Sequence, residues 1–148
     1  MRLGSTAAAA CVVVTGIVVG ACGLSATDLE VQATDSFVKI TNRSKATIEV
    51  LSVSLNDGAC QVFPFRWTVT TAKDDKPTPA MEWRATRPAD EDGTNVFGEK
   101  FSSRWEPVGS LPLAPAGETF VEKCLEGRDL ASVLVKTNRG SRRYTVGD

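Results

Sequence analysis

Residues Val62 to Thr70, VFPFRWTVT, decide the fold class. Phe63, Phe65, Trp67 and Val69 recur at every second position, with Pro64, Arg66, Thr68 and Thr70 between them. Successive side chains of a strand point to opposite faces, so this spacing predicts a half-buried strand with an aromatic inner face. Pro64 has no N–H to give to a ladder, which predicts an edge or a bulge at that end.

Working outward, the same grammar repeats. Upstream, Phe37 to Thr41 (FVKIT) ends in the turn Asn42-Arg43-Ser44-Lys45, and Thr47 to Leu55 (TIEVLSVSL) ends in Asn56-Asp57-Gly58. In the latter strand Ile48 and Val50 share one parity, while Leu51, Val53 and Leu55 take the other. That slip predicts a β-bulge at 50–51 or burial on both faces. Downstream, Leu111 and Leu113 flank Pro112, Pro115-Ala116-Gly117 makes a turn, and Thr119 to Cys124 (TFVEKC) is a further strand. Ser132 to Thr137 and Arg142 to Val146 face each other across Asn138-Arg139-Gly140-Ser141, a hairpin signature. No segment sustains a helical period. The expectation is all-β: a single antiparallel β-sandwich over residues 35–148, with a long insertion or loop at 71–110.

The first residues read as an address. No charged residue lies between Arg2 and Asp28, and an apolar run fills Ala7 to Val19 (AAAACVVVTGIVV). A short apolar run followed by small residues reads as a secretory signal, here residues 1–21. The tetrad Val19-Gly20-Ala21-Cys22 resembles the lipobox of bacterial lipoproteins. That resemblance implies cleavage after Ala21, a diacylglycerol on the Cys22 thiol, and a membrane partner reached through the lipid. Gly23 is not the Asp associated with inner-membrane retention, which favours the outer membrane in a Gram-negative host. A retained transmembrane anchor and an ordinary cleaved signal are the alternatives. Residues 22–34 (Cys22 then GLSATDLEVQAT) read as a flexible tether with few apolar residues.

Four cysteines occur in the chain. Cys11 falls in the leader and Cys22 is the lipidation candidate, leaving Cys60 and Cys124. In an oxidising compartment their pairing is expected, and the alternative is two separate buried thiols. Neither sits in a C-x-x-C pair, so redox chemistry is not indicated.

The blocks VKITNRSKATIEVLSVSLN (38–56), LPLAPAGETF (111–120) and SVLVKTNRGSRRYTV (132–146) resemble the immunoglobulin-like domains of bacterial envelope proteins in architecture. Glu122 stands where an antibody-type domain keeps a Tyr before its second cysteine, so the resemblance is to the sandwich alone. Sandwiches of this kind host many functions.

Composition excludes several classes. The 17 basic and 18 acidic residues balance, without the clustered basic excess of a nucleic-acid binder. There is no histidine, hence no imidazole base or metal ligand. Ser36-Phe37-Val38-Lys39 fits the S-x-x-K spacing of serine β-lactam enzymes, but that chemistry needs both residues on one helix face and these lie on a predicted strand. Asp90-Glu91-Asp92-Gly93-Thr94-Asn95 gathers oxygen ligands, yet the twelfth position of a calcium loop counted from Asp90 is Phe101, so a solvated acidic turn is expected. Asn42-Arg43-Ser44 matches a glycosylation sequon.

Residues 71–110 carry four prolines and the aromatics Trp83, Phe97, Phe101 and Trp105. Trp83, Arg84, Phe97, Arg104 and Trp105 are the candidate partner-binding residues, because Trp and Arg dominate interface energetics. The competing expectation is that these aromatics close an open end of the sandwich, with short strands near Met81–Ala85 and Phe101–Trp105. No catalytic residue, metal ligand or cofactor is assigned. The functional expectation is a non-catalytic envelope lipoprotein that binds an envelope protein or the wall. The alternative is a carrier of a small ligand or ion, with a pocket under Trp83 and Trp105.

Overall fold

The computed structural model describes residues 3–5, 24–73, 77 and 79–146. The expected lipidation site Cys22 and leader residues 6–21 lie outside the described residues, as does the Asp74-Asp75-Lys76 turn. Among the described residues the elements are β1 (Leu3–Ser5), β2 (Leu29–Ala33), β3 (Phe37–Asn42), β4 (Ile48–Leu55), a short 3₁₀ turn (Asn56–Gly58), β5 (Cys60–Thr71), β6 (Ala80–Arg84), β7 (Glu91–Thr94), β8 (Lys100–Pro107), β9 (Leu111–Leu113), β10 (Glu118–Glu122), β11 (Ser132–Thr137) and β12 (Gly140–Val146). Every pairing is antiparallel. The protein is an all-β sandwich.

One sheet is small, in the order β10-β3-β2. The other follows β1-β12-β11-β4-β5-β8-β7, with β6 also on β5 and β9 also on β4. Alternation decides what lies between them. Val38, Ile40 and Val121 of the small sheet and Ile48, Val50, Val53, Val133 and Val135 of the large one have no exposed surface. Burial of such side chains contributes about 1.5–3 kcal/mol each relative to exposure, the main favourable term here. Cys60 begins β5 and Cys124 lies just past β10, and the two are disulfide-bonded with Cα atoms 5.8 Å apart. The bond therefore ties one sheet to the other.

The parity slip in β4 is a bulge. Lys136 of β11 faces Ser52 and the next residue, Thr137, faces Val50, so Leu51 is the unpaired extra residue. The bulge lets Ile48 and Val50 below it and Val53 and Leu55 above it all reach the core.

Three features differ from the sequence reading. First, residues 29–33 of the stretch read as tether form β2, with Leu29 and Val31 each 3% exposed. Leu24 is also 3% exposed. Leu29, Val31 and Ala33 fall at period two, but so few apolar residues among polar neighbours carried too little signal.

Second, the period-two aromatic pattern of β5 is real, and its direction is reversed. Cys60, Val62 and Pro64 face the main core, while Phe63 is 41% exposed. Phe65 and Trp67 share the side of Phe63 because the register with β6 is unbroken from Phe63–Arg84 to Trp67–Ala80. β5 outruns the main sheet. It pairs with β4 only from Cys60 to Val62, then with β8 from Phe65 to Thr71. Pro64 sits at this change of partner, where a missing N–H costs nothing.

Third, the 71–110 stretch is not one long loop: β6 and β8 lie at the two places where short strands are the competing expectation, near Met81–Ala85 and Phe101–Trp105, and β7 is the strand not expected. β6 flanks β5 on one side and β7 flanks β8 on the other, so the 85–90 connection has to cross both middle strands. Arg87 and Asp90 of that connection bond the Trp105 backbone, and Phe65, Trp67 and Trp105 share one face as a second apolar layer outside the main core.

Candidate functional site

The five candidate residues do not converge. Trp105 is 8% exposed and stacks on Trp67, its cross-strand partner, with ring centroids 5.6 Å apart. Arg84 lies over that ring, with its guanidinium carbon 5.4 Å from the centroid. Arg87 Nε donates to the Trp105 carbonyl at 3.0 Å, and the Trp105 N–H donates to Asp90 Oδ1 at 2.9 Å. Trp83 lies on the opposite face of the sheet. It pairs with Pro64, packs against the main core, and donates its indole N–H to Thr119 Oγ1 at 2.8 Å. The two indoles therefore share no cavity, which removes the pocket under both rings that the carrier reading required. Arg104 pairs with Asp92 at 2.9 Å on the outer hairpin, and Phe97 stands beside Val96 at its tip, away from the other four.

The acidic run is consumed by the same hairpin. Asp92 Oδ1 accepts from Ser102 Oγ at 2.7 Å and meets Arg104. The Ser102 hydroxyl first, and Arg104 after it, hold Asp92 below the usual carboxylate range. The Trp105 backbone N–H is the largest influence lowering Asp90, with Arg87 adding to it. Among the described residues no group of three or more His, Cys, Asp or Glu is placed to hold a metal ion. Ser36 precedes β3 and Lys39 lies within it, so they share no helix face. Asn42 is fully buried, with both amide hydrogens given to the Ala46 and Leu113 carbonyls at 2.8 Å, so the folded sequon offers no free nitrogen.

What the fold does build is a groove. β6 ends the large sheet beside β5, and β10 ends the small sheet beside β3. Between these two edges lies a cavity of about 350 Å³ lined by Phe37, Met81, Trp83, Arg84, Thr119 and Phe120, with Glu82, Glu118 and Glu122 at its margin. Phe37 and Phe120 meet edge to face at 6.5 Å. Yet they remain 44% and 51% exposed, and Met81 38%. Three large apolar side chains are thus left part-exposed around one depression. Trp83 forms the floor and is held there by Thr119. Arg84 is fixed by Glu82 at 2.7 Å and by the Trp105 ring.

Trp83 and Arg84 were legible candidates; Phe37, Met81 and Phe120 were missed. A signal existed for two of them. Phe120 alternates with Thr119 and Val121 and shares its parity with Glu118 and Glu122, the charged face. Phe37 likewise shares the parity of Lys39. An aromatic on the charged parity of a strand points outward.

No protein-family model, no curated protein and no solved structure matches this chain.

Proposed function

We propose that this chain is a non-catalytic envelope lipoprotein. Its immunoglobulin-like sandwich is held at the membrane by lipid on Cys22 and binds an extended segment of another envelope protein in the β6–β10 groove. The observation that carries this reading is the exposure of Phe37, Met81 and Phe120 around a cavity whose two walls are sheet edges. Edge strands offer unpaired backbone groups to an extended chain, and alternate side chains of that chain reach the apolar pockets between them. Arg84 and the three glutamates give the rim polar contacts that fix register without catalysis. The chain has no histidine, and Asp90 and Asp92 are committed to Trp105, Ser102, Arg87 and Arg104.

Cleavage after Ala21 would remove β1 with the leader and leave β12 as the sheet edge. The disulfide joining the sheets suits an oxidising compartment.

Two measurements test the proposal. Mass spectrometry of detergent-extracted protein should find an acylated Cys22 as the first residue, and an unmodified chain beginning at Met1 would overturn the anchor. Photo-crosslinking in intact cells, with probes in turn at Phe37, Met81 and Phe120, should trap one protein partner. A probe at Lys136, on β11 between β4 and β12 and away from the groove, should trap none. Phe120→Asp should abolish the adduct from Met81 while leaving the folded fraction unchanged. Equal trapping from Lys136, or none from the groove, would overturn the binding site.

A further inference from the structure

The hairpin joining β7 to β8 ends in Val96 and Phe97, which are 93% and 85% exposed. They are not a loose loop. Asn95 Oδ1 accepts the backbone N–H groups of Phe97 at 2.9 Å and Glu99 at 3.0 Å. The Asn95 N–H donates to the Glu99 carbonyl at 2.8 Å, and Gly98, at φ +77°, donates to the Asn95 carbonyl at 3.0 Å. The turn thus holds two adjacent apolar side chains outward while satisfying the N–H groups of Asn95, Phe97, Gly98 and Glu99 from within.

That combination selects the medium the tip enters. A peptide N–H moved out of water without a partner costs several kcal/mol, so backbone that enters an apolar phase has to be satisfied internally. The tip is convex and has no apolar rim, so it fits a deformable apolar phase without needing a preformed pocket. Lys73, joined to Glu99 at 2.7 Å, and Lys100 stand at its base. Long cationic side chains at that height can lie against lipid while keeping their ammonium groups among the headgroups.

Strand polarity points the tip toward the end where β2 begins. β5 runs antiparallel to β4, from Val62 opposite Val53 to Thr71 opposite Phe101. It therefore travels toward the end marked by Ile48, Leu113 and Asn42, where Leu29 begins β2 opposite Asn42. The β7–β8 hairpin continues in that direction past Thr71. Leu24, before β2, is buried and its carbonyl accepts from Arg142 Nη1 at 3.3 Å. Only Gly23 separates it from Cys22, a span of at most about 7 Å. A lipid on Cys22 would hold the sandwich against the bilayer with no slack.

We propose that Val96 and Phe97 form a second membrane contact, inserting into the lipid surface on which Cys22 anchors the domain. The Cys22 part rests on the function proposed above; the tip itself does not. The test uses full chain carrying Phe97→Cys labelled with an environment-sensitive fluorophore, reconstituted in phosphatidylethanolamine–phosphatidylglycerol vesicles. Asp129→Cys, in the loop before β11, is the control. Label at 97 should shift to the blue and be quenched severalfold by nitroxide-bearing lipids, and label at 129 should do neither. If the acylated protein floats with vesicles and the label at 97 still reports water, the tip proposal is overturned and the anchor stands. If no acyl mass is found but unlipidated Cys22→Ser protein shows the shift on adding the same vesicles, the tip stands and the anchor falls. If it shows no shift, both fall. In the unlipidated protein, Val96→Asp with Phe97→Asp should weaken vesicle binding by about tenfold or more.

Discussion

Trp67 and Trp105 lie directly opposite each other on β5 and β8, and their rings stack 5.6 Å apart with planes inclined by 19°. Trp67 donates its indole N–H to Ser103 Oγ at 2.6 Å, which fixes the ring from the side. The pair is the centre of the apolar layer outside the main core. Trp105→Ala should destabilise the protein by about 3–5 kcal/mol in urea unfolding. Trp67→Ala should cost less because that ring is only half buried. The double variant should fall short of the sum by about 1 kcal/mol, the coupling expected of an aromatic pair.

The Cys60–Cys124 bond spans 64 positions and joins the sheets across the core. Cys60→Ser with Cys124→Ser should lower unfolding free energy by about 4 kcal/mol, mainly through greater freedom of the unfolded chain. Equilibrium denaturation with and without reductant checks this: reductant should have the same effect on the parent and none on the double variant.

Asn42 uses its whole side chain. Its amide donates to Ala46 and Leu113, and its Oδ1 accepts from the Ser44 N–H at 2.9 Å and the Ser44 hydroxyl at 2.8 Å. Asn42→Asp sets a carboxylate oxygen against two carbonyls. It should cost about 3 kcal/mol or more at neutral pH. Burial raises the pKa of the new carboxyl, so the loss should shrink as pH falls and the acid gains a proton it can donate. Thermal unfolding at several pH values reads both effects.

Tyr144 is the single tyrosine of the chain and is 2% exposed, and its hydroxyl has no hydrogen-bond partner among the described residues. Burial is the main cause of a pKa pushed up to about 12. Below pH 10 the phenol is protonated in folded and unfolded chains alike. Between pH 10 and 12 only the unfolded chain releases the proton, so stability falls as pH rises through that window. Absorbance at the phenolate band should titrate near 12 in folded protein and near 10 in urea. Tyr144→Phe should remove this part of the alkaline decline and be neutral or stabilising by about 1 kcal/mol at pH 7, since it deletes an unpaired buried group.

The main sandwich was legible because its strands alternate cleanly. Val38 and Ile40 against Lys39, or Val133 and Val135 against Leu134 and Lys136, state their own faces. The slip at Val50–Leu51 announced the bulge for the same reason. What alternation cannot say is which side of a sheet holds the core. Phe63, Phe65 and Trp67 show the period of a strand, but their direction depends on a crossing segment twenty residues downstream. β7 was hidden altogether, since Glu91-Asp92-Gly93-Thr94 has no apolar residue. It is held by its ladder to β8 and by side-chain ties such as Asp92 to Ser102. Phe97 was visible as a candidate, but its place beside Val96 on a rigid tip followed only from the Asn95 turn.

The change of partners along β5 has a consequence for how this protein can vary. The chain leaves the main sheet past Pro64 and returns through Pro107, opposite Phe65, before β9 takes its place beside β4. Residues between those gates reach the main core through Trp83. The outer hairpin can therefore lengthen, shorten or change its tip without shifting the register of β3, β4, β11 or β12. Such a region is an exchangeable head on a constant body, and descendants of one ancestor could differ there while keeping the same core.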